Sequence, residues 1–378
     1  MSTDALRMRG TKDLVDTATN VPARSERILQ IDDFCVDYGV GEGSVRAVDD
    51  VELHLDRSKV LGIAGESGSG KSTLVYAFTR LLRAPAVITG GTALFNVGPS
   101  EEGGPDEFID LITADEATLR RVRWQQVSVV LQSALNALNP VVRVGTIFEQ
   151  VFKAHRQEMS RAQRRARAVE LLALVGLNED RLQRYAHELS GGQRQRVMIA
   201  LALALDPQLV IMDEPTTALD VVTQREILNE LTELRARFGF AMIFITHDLS
   251  LLVELADEIV VMYAGRIVER AGGRSLYHSP RHPYTLGLLN SFPPMHGDRH
   301  ELAGIPGAPP DLSRLPSGCA FHQRCPYAMK RCATERPPLV NLAKGGRSVA
   351  CWLHEGGEDV VVPVELRRRE PSAKAGAS

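Results

Sequence analysis

The stretch Gly65-Glu66-Ser67-Gly68-Ser69-Gly70-Lys71-Ser72 constrains this chain more than any other. It follows a short apolar run, Val60 to Ala64, and precedes Ser72 to Leu82, whose apolar spacing predicts a helix. A glycine-rich turn between strand and helix lets backbone N–H groups converge on phosphate oxygens, and the helix N-terminus adds positive potential. Lys71 is placed to reach the β and γ phosphates and Ser72 to ligate Mg²⁺. The ligand implied is a nucleoside triphosphate.

Length and charge narrow the setting. With 378 residues the chain suits one large α/β domain plus an appendage. Lys and Arg number 44 against 47 Asp and Glu, so no charge excess points to nucleic acid. The longest purely apolar run, Val197 to Leu205, falls far short of the roughly 18 residues of a bilayer-spanning helix. Any membrane role is therefore expected through partners. Mixed charges at Asp4, Arg7, Arg9 and Asp13 do not make a secretory signal, and a cytosolic location is expected.

Along the chain, residues 1–27 lack apolar periodicity and are expected to form a flexible segment. Leu29, Ile31, Phe34, Val36 and Tyr38 alternate imperfectly, which predicts an edge strand broken near Asp32 and Asp33. Residues 97–107 read as a solvated loop. Between about 133 and 190 the pattern turns helical, with a Ser160/Gln163 capping box and a stop near Gly176. Arg161, Arg164, Arg165 and Arg167 are expected on that helix's solvated face. Leu209 to Met212, Ala241 to Ile245 and Ile259 to Met262 are apolar runs separated by helical stretches, the mark of a largely parallel sheet covered on both faces.

The run Leu209 to Met212 ends in Asp213-Glu214. Carboxylates at a strand's C-terminal end, beside a phosphate loop, can hold Mg²⁺ through water and orient an attacking water. Upstream lies Leu189-Ser190-Gly191-Gly192-Gln193, in which Ser190 and two glycines open a helix as a second anion-binding N-terminus. Here the chain resembles the ATP-binding-cassette ATPases, from about Leu29 to Glu269. The resemblance implies a cassette fold: a RecA-like core with a helical subdomain and an antiparallel β edge. It implies that Tyr38 stacks on adenine, that Gly65, Ser67, Gly68, Ser69, Gly70, Lys71, Ser72 and Thr73 bind ATP, and that Ser72, Gln132 and Asp213 serve Mg²⁺. Glu214 would be the catalytic carboxylate and His247 the switch histidine; Thr217 to Asp220 resembles the D-loop. Tyr38, Gln132 and His247 each also have an ordinary reading, as strand cap, loop amide and core histidine. In the family the LSGGQ surface closes on ATP held by an opposite protomer, so a second cassette, identical or homologous, is expected.

Beyond residue 275 prolines crowd a segment with few periodic runs, which is not expected to hold itself together by apolar burial alone. His282-Pro283-Tyr284 and the cysteines after it resemble the C-terminal extension of oligopeptide and dipeptide importer ATPases. That likeness implies two membrane permease subunits, an extracytoplasmic solute-binding protein and a place at the cytoplasmic face of the membrane. Oligosaccharide, nickel and glutathione are solutes of related branches. Cys319, Cys325, Cys332 and Cys351 lack any C-x-x-C pair, against the usual zinc form. The likeness implies a [4Fe–4S] cluster there, with zinc and free thiols as the alternatives; Cys35 is expected to be a small buried apolar residue. The expected division is 1–27 flexible, 28–274 cassette, 275–355 extension and 356–378 flexible. A soluble cassette acting on nucleic acid or ribosomes is disfavoured: no second cassette, coiled-coil insertion or basic surface is seen.

Overall fold

The computed structural model describes residues 26–41, 43–99, 104–131, 138–217, 219–291, 304–342 and 346–357. Two sheets organise them. Strands β1 (Arg27–Tyr38), β2 (Val45–Asp56), β4 (Ala86–Pro99) and β5 (Asp106–Asp110) form an antiparallel sheet in the order β2-β1-β4-β5. An eight-stranded sheet runs, in order, β11 (Val340–Leu342), β12 (Arg347–Val349), β10 (Arg266–Gly272), β9 (Glu258–Tyr263), β3 (Val60–Ala64), β8 (Ala241–Thr246), β7 (Leu209–Asp213) and β6 (Val127–Val130). Its parallel centre consists of β3, β6, β7, β8 and β9.

The central strands are buried on both faces, which is why they read as continuous apolar runs. Successive residues alternate between two cores. Leu61, Ile63, Leu209, Ile211, Ile243 and Ile245 join the antiparallel sheet and the helix Lys71–Phe78. Val210, Met212, Met242 and Phe244 join the helices Val144–His155, Arg161–Leu174 and Gly191–Ala202. One sheet thus welds the antiparallel edge to the helical region.

Several local expectations change. β1 is an interior strand, paired with β2 on one side and β4 on the other. The break at Asp33 is a bulge with φ 50°, where both registers shift. Gly91 opposite it lies so close that a Cβ would meet the Asp32 carbonyl at 2.5 Å. Both ends of the expected 97–107 loop are instead strand, the end of β4 and the start of β5, with Gly98 opposite Glu107; residues 100–103 lie outside the described residues. The arginine-rich helix is capped by Ser160 and Gln163 as expected. Its arginines are not simply solvated: Arg164 pairs with Glu149, Arg165 with Glu179, and Arg167 with Glu170 and Asp206. Cys35 is only partly buried, its sulfur accepting the Asp50 N–H at 3.4 Å.

The C-terminal segment gains stability by joining the larger fold. β10 (Arg266–Gly272) pairs with β9 on one side and, on the other, with β12 (Arg347–Val349), which pairs with β11 (Val340–Leu342). Tyr284, Leu288, Leu289 and Phe321 complete the core beneath the sheet. Buried Glu269 on β10 accepts the backbone N–H groups of Arg281 and His282, both at 2.8 Å, and pairs with Arg347.

Candidate active site

The phosphate loop leaves β3 at its C-terminal end and enters the helix Lys71–Phe78, where open parallel sheets place ligands. Gly65 has φ 151° and Gly70 φ 100°, and a Cβ on either would lie within 2.5 Å of a carbonyl oxygen, that of Met262 or Ala47. Only glycine fits there. The Lys71 ammonium is buried across the loop, donating to the carbonyls of Gly65 at 2.8 Å and Glu66 at 2.9 Å. Burial holds its pKa below the ordinary lysine value.

β7 ends beside this loop. The Ser72 hydroxyl donates to Asp213 Oδ1 at 3.0 Å, and Tyr76 donates to Oδ2 at 2.6 Å. Burial raises the Asp213 pKa, with the two hydroxyls opposing it. A fully buried carboxylate between hydroxyls, next to an ammonium, is a site that a hard cation would settle. Tyr76 was not anticipated from sequence, although it lies four positions after Ser72 on the same helical face.

Glu214 follows with φ 46°, an uncommon conformation for a side chain of this size. Its N–H donates to the Ile245 carbonyl at 2.9 Å, which ties it to the end of β8. Its carboxylate lies 3.6 Å from His247 Nδ1 and accepts from the Thr217 hydroxyl at 3.2 Å. His247, half-exposed, is therefore not a core histidine. Tyr38 is 39% exposed and its hydroxyl lies 3.3 Å from Thr73 Oγ1. Ser67, Gly68 and Ser69 complete the turn, Gly68 with φ 79°.

The Leu189–Gln193 segment lies elsewhere. Ser190 caps the helix Gly191–Ala202: its hydroxyl accepts the Gln193 N–H at 3.3 Å, and Gln193 reaches back to the Ser190 N–H at 3.2 Å. Leu189 anchors the turn in the core while Ser190 faces solvent. Gly192 packs on the helix Val221–Phe238, where a Cβ would meet Thr223 at 2.8 Å. Gln132 and Ala218 lie outside the described residues.

Cys319, Cys325, Cys332 and Cys351 line one narrow cavity of about 20 Å³. Burial raises the Cys319 pKa and pushes Cys325 up to about 11 and Cys351 to about 12. Among the described residues no group of three or more His, Cys, Asp or Glu is placed to hold a metal ion. The expected cluster thus finds no support in the side-chain arrangement.

Comparisons with known proteins now bear on this geometry. The ABC transporter family profile matches residues 48–217, and the profile of the oligopeptide/dipeptide transporter C-terminal region matches 268–332. The dipeptide transport ATP-binding protein DppD of Caldanaerobacter subterraneus subsp. tengcongensis is 40% identical over 331 residues, 87% of this chain and 98% of that protein. The chain belongs to the ABC transporter family. The oligopeptide transport ATP-binding protein OppD of Salmonella typhimurium is 41% identical, over 90% of this chain and 97% of its own length. A solved dimer of the ATP-binding cassette MJ0796, in a post-hydrolysis state with ADP and Pi, superposes with TM-score 0.56 at 27% identity, covering 65% of this chain and 99% of that one. The ABC cassette described above is accordingly an ATPase. Among the described residues no helix is long and apolar enough to cross a membrane.

Proposed function

We propose that this chain is one of two cassettes that power an importer of di- and oligopeptides at the cytoplasmic face of the cell membrane. The observation that carries the motor is the 3.0 Å contact of Ser72 with Asp213, which joins the phosphate loop to the carboxylate-ended strand. The peptide assignment rests on the 268–332 match and on relatives named for dipeptide and oligopeptide transport. Oligosaccharide, nickel and glutathione are the competing solutes. The working units of this reading are a cassette at 28–274 and an extension at 275–355.

In this reading ATP lies with its base on Tyr38 and its phosphates in the loop Gly65–Thr73, with Lys71 on the β and γ phosphates. Ser72, Asp213 and Gln132 would hold Mg²⁺, which neutralises charge on the transferring phosphate. Glu214 orients the attacking water, while His247, 3.6 Å from it, senses the γ-phosphate. Leu189, Ser190, Gly191, Gly192 and Gln193 present a solvent-facing helix N-terminus to the ATP of the partner cassette. Closure depends on contacts that exist only while the triphosphate is intact.

Two permeases would dock beside a groove of about 260 Å³ lined by Trp124, Leu138, Ile147, Gln150 and Met198. Ser128 and Val129 of β6 also line it, and Val141 is 79% exposed. Peptide uptake into proteoliposomes holding this chain, its permeases and a solute-binding protein tests the proposal. ATP-dependent uptake of labelled di- or oligopeptide supports it; uptake of nickel or a sugar but no peptide reassigns the solute.

For the cysteines the proposal is narrower. A [4Fe–4S] cluster would draw on the four thiols of Cys319, Cys325, Cys332 and Cys351, which line one cavity. Against it stands the lack of an ion-holding group. Anaerobic purification with iron and acid-labile sulfide assays decides: about four of each per chain supports the cluster. Zinc without iron, or neither metal, rejects it.

A further inference from the structure

We propose that Arg324, in the C-terminal extension, is a positioning residue for the Glu66 carboxylate of the phosphate loop, turning it away from the triphosphate and neutralising it. The inference rests on the triphosphate reading of that loop and goes beyond it, because Arg324 belongs to no nucleotide motif.

Glu66 is the second residue of the loop, and the structure gives a partner to each of its polar groups. Its N–H donates to the Tyr284 hydroxyl at 2.7 Å. Its carbonyl accepts the Lys71 ammonium at 2.9 Å and the Ser69 N–H at 3.2 Å. Its carboxylate takes a two-pronged contact from Arg324, Nη1 to Oε2 at 2.6 Å and Nη2 to Oε1 at 2.9 Å. A paired fork of this kind fixes orientation as well as charge.

The holders are themselves fixed. The Arg324 side chain is 6% exposed; its Nε donates to the Pro306 carbonyl at 2.8 Å and its Nη1 to the Tyr263 hydroxyl at 3.2 Å. Its guanidinium also lies 5.9 Å from the ring centres of Tyr263 and Phe321. Tyr284 is fully buried, 4.5 Å from Tyr263 and 5.3 Å from Phe321 between ring centres. Tyr263 ends β9, the strand that pairs with β3 just before the loop. The extension thus grips both the loop's entry and the strand beside it.

Charge gives the contact its consequence. A carboxylate in a loop that must receive a triphosphate repels it, and in a part-buried site that repulsion is weakly screened. Arg324 neutralises Glu66 and keeps it turned toward the extension. A mere strut would fail whichever half of the pair were removed, whereas a charge-balancing partner matters only while the carboxylate is present.

The full chain is titrated with ATP and Mg²⁺ by calorimetry, alongside steady-state ATPase assays. Wild-type binding is the control: its absence would defeat the nucleotide reading itself, not this inference. Arg324→Met is expected to weaken ATP binding by about tenfold, mainly as a raised KM, the size of one unscreened like charge near the phosphates. Glu66→Gln is expected to bind at least as tightly as wild type, and Glu66→Gln with Arg324→Met to return to about wild-type affinity. Weakened binding in Glu66→Gln overturns the inference even if Arg324→Met fails to fold. Unchanged affinity in a folded Arg324→Met, or a double variant as weak as Arg324→Met, overturns it as well.

Discussion

The Ser72 hydroxyl donates to Asp213 Oδ1 across 3.0 Å, joining residues 141 positions apart in the chain. With Tyr76 on the other oxygen, the carboxylate is oriented before any cation arrives. Asp213→Asn should therefore lower ATP turnover by about 10- to 100-fold, the usual range for a group supporting a metal, and shift half-saturation to higher Mg²⁺. Phosphate release measured against Mg²⁺ concentration checks both; an unchanged Mg²⁺ requirement would remove Asp213 from the metal's surroundings.

Glu214 sits in a left-handed conformation with its N–H tied to Ile245, so its carboxylate is aimed by the backbone. Glu214→Gln keeps the shape but removes the proposed base. Hydrolysis is expected to fall by about 10² to 10⁴, while ATP binding persists and the chains accumulate as a nucleotide-bound pair. Size-exclusion chromatography with and without ATP would show the pair; a monomer under both conditions contradicts the sandwich reading.

Gly65 offers a sharper structural test. A methyl group there would lie 2.4 Å from the Met262 carbonyl, at a φ that side chains rarely adopt. Gly65→Ala should cost about 1–3 kcal/mol of stability and abolish nucleotide binding. Chemical denaturation and calorimetry read the two effects separately, and intact ATP affinity would deny the loop its tight turn.

His282 carries a pH dependence. Its Nδ1 accepts the Tyr284 N–H at 3.0 Å, capping the helix Pro283–Asn290, so a proton there breaks the cap. Burial, aided by His354, lowers its pKa to about 3. The unfolded chain then binds the proton first, between about pH 6.5 and 3, so this contribution is complete above pH 6.5 and is lost as pH falls. At pH 5.5 the loss is on the order of 1 kcal/mol for this one group. Urea unfolding at pH 7.5 and 5.5 should show a fall in stability that is smaller by about that amount in His282→Asn, which keeps a capping acceptor without titrating there; His54 and His155, whose pKa values burial also lowers, supply part of the remainder.

The cassette was legible because its chemistry is local. Gly65 to Ser72 and Leu189 to Gln193 are contiguous, and the buried strands β7, β8 and β9 read as apolar runs because both faces are covered. What could not be read is long-range. Glu66 and Arg324 stand 258 positions apart, and neither has a spacing that announces the other. β1 reads like an edge because its bulge at Asp33 breaks the alternation, although β4 covers its second side. The proline-rich segment looks too poor in apolar residues to fold, because Tyr284 and Phe321 complete a core whose larger part lies in the cassette.

β12 lies along the outer side of β10, whose other side is already taken by β9. A chain ended near residue 274 would leave β10 with a bare row of N–H and C=O groups, open to any strand that met it. The expected fate of such a fragment is self-association, so the segment after β10 also closes an edge that would otherwise recruit other chains.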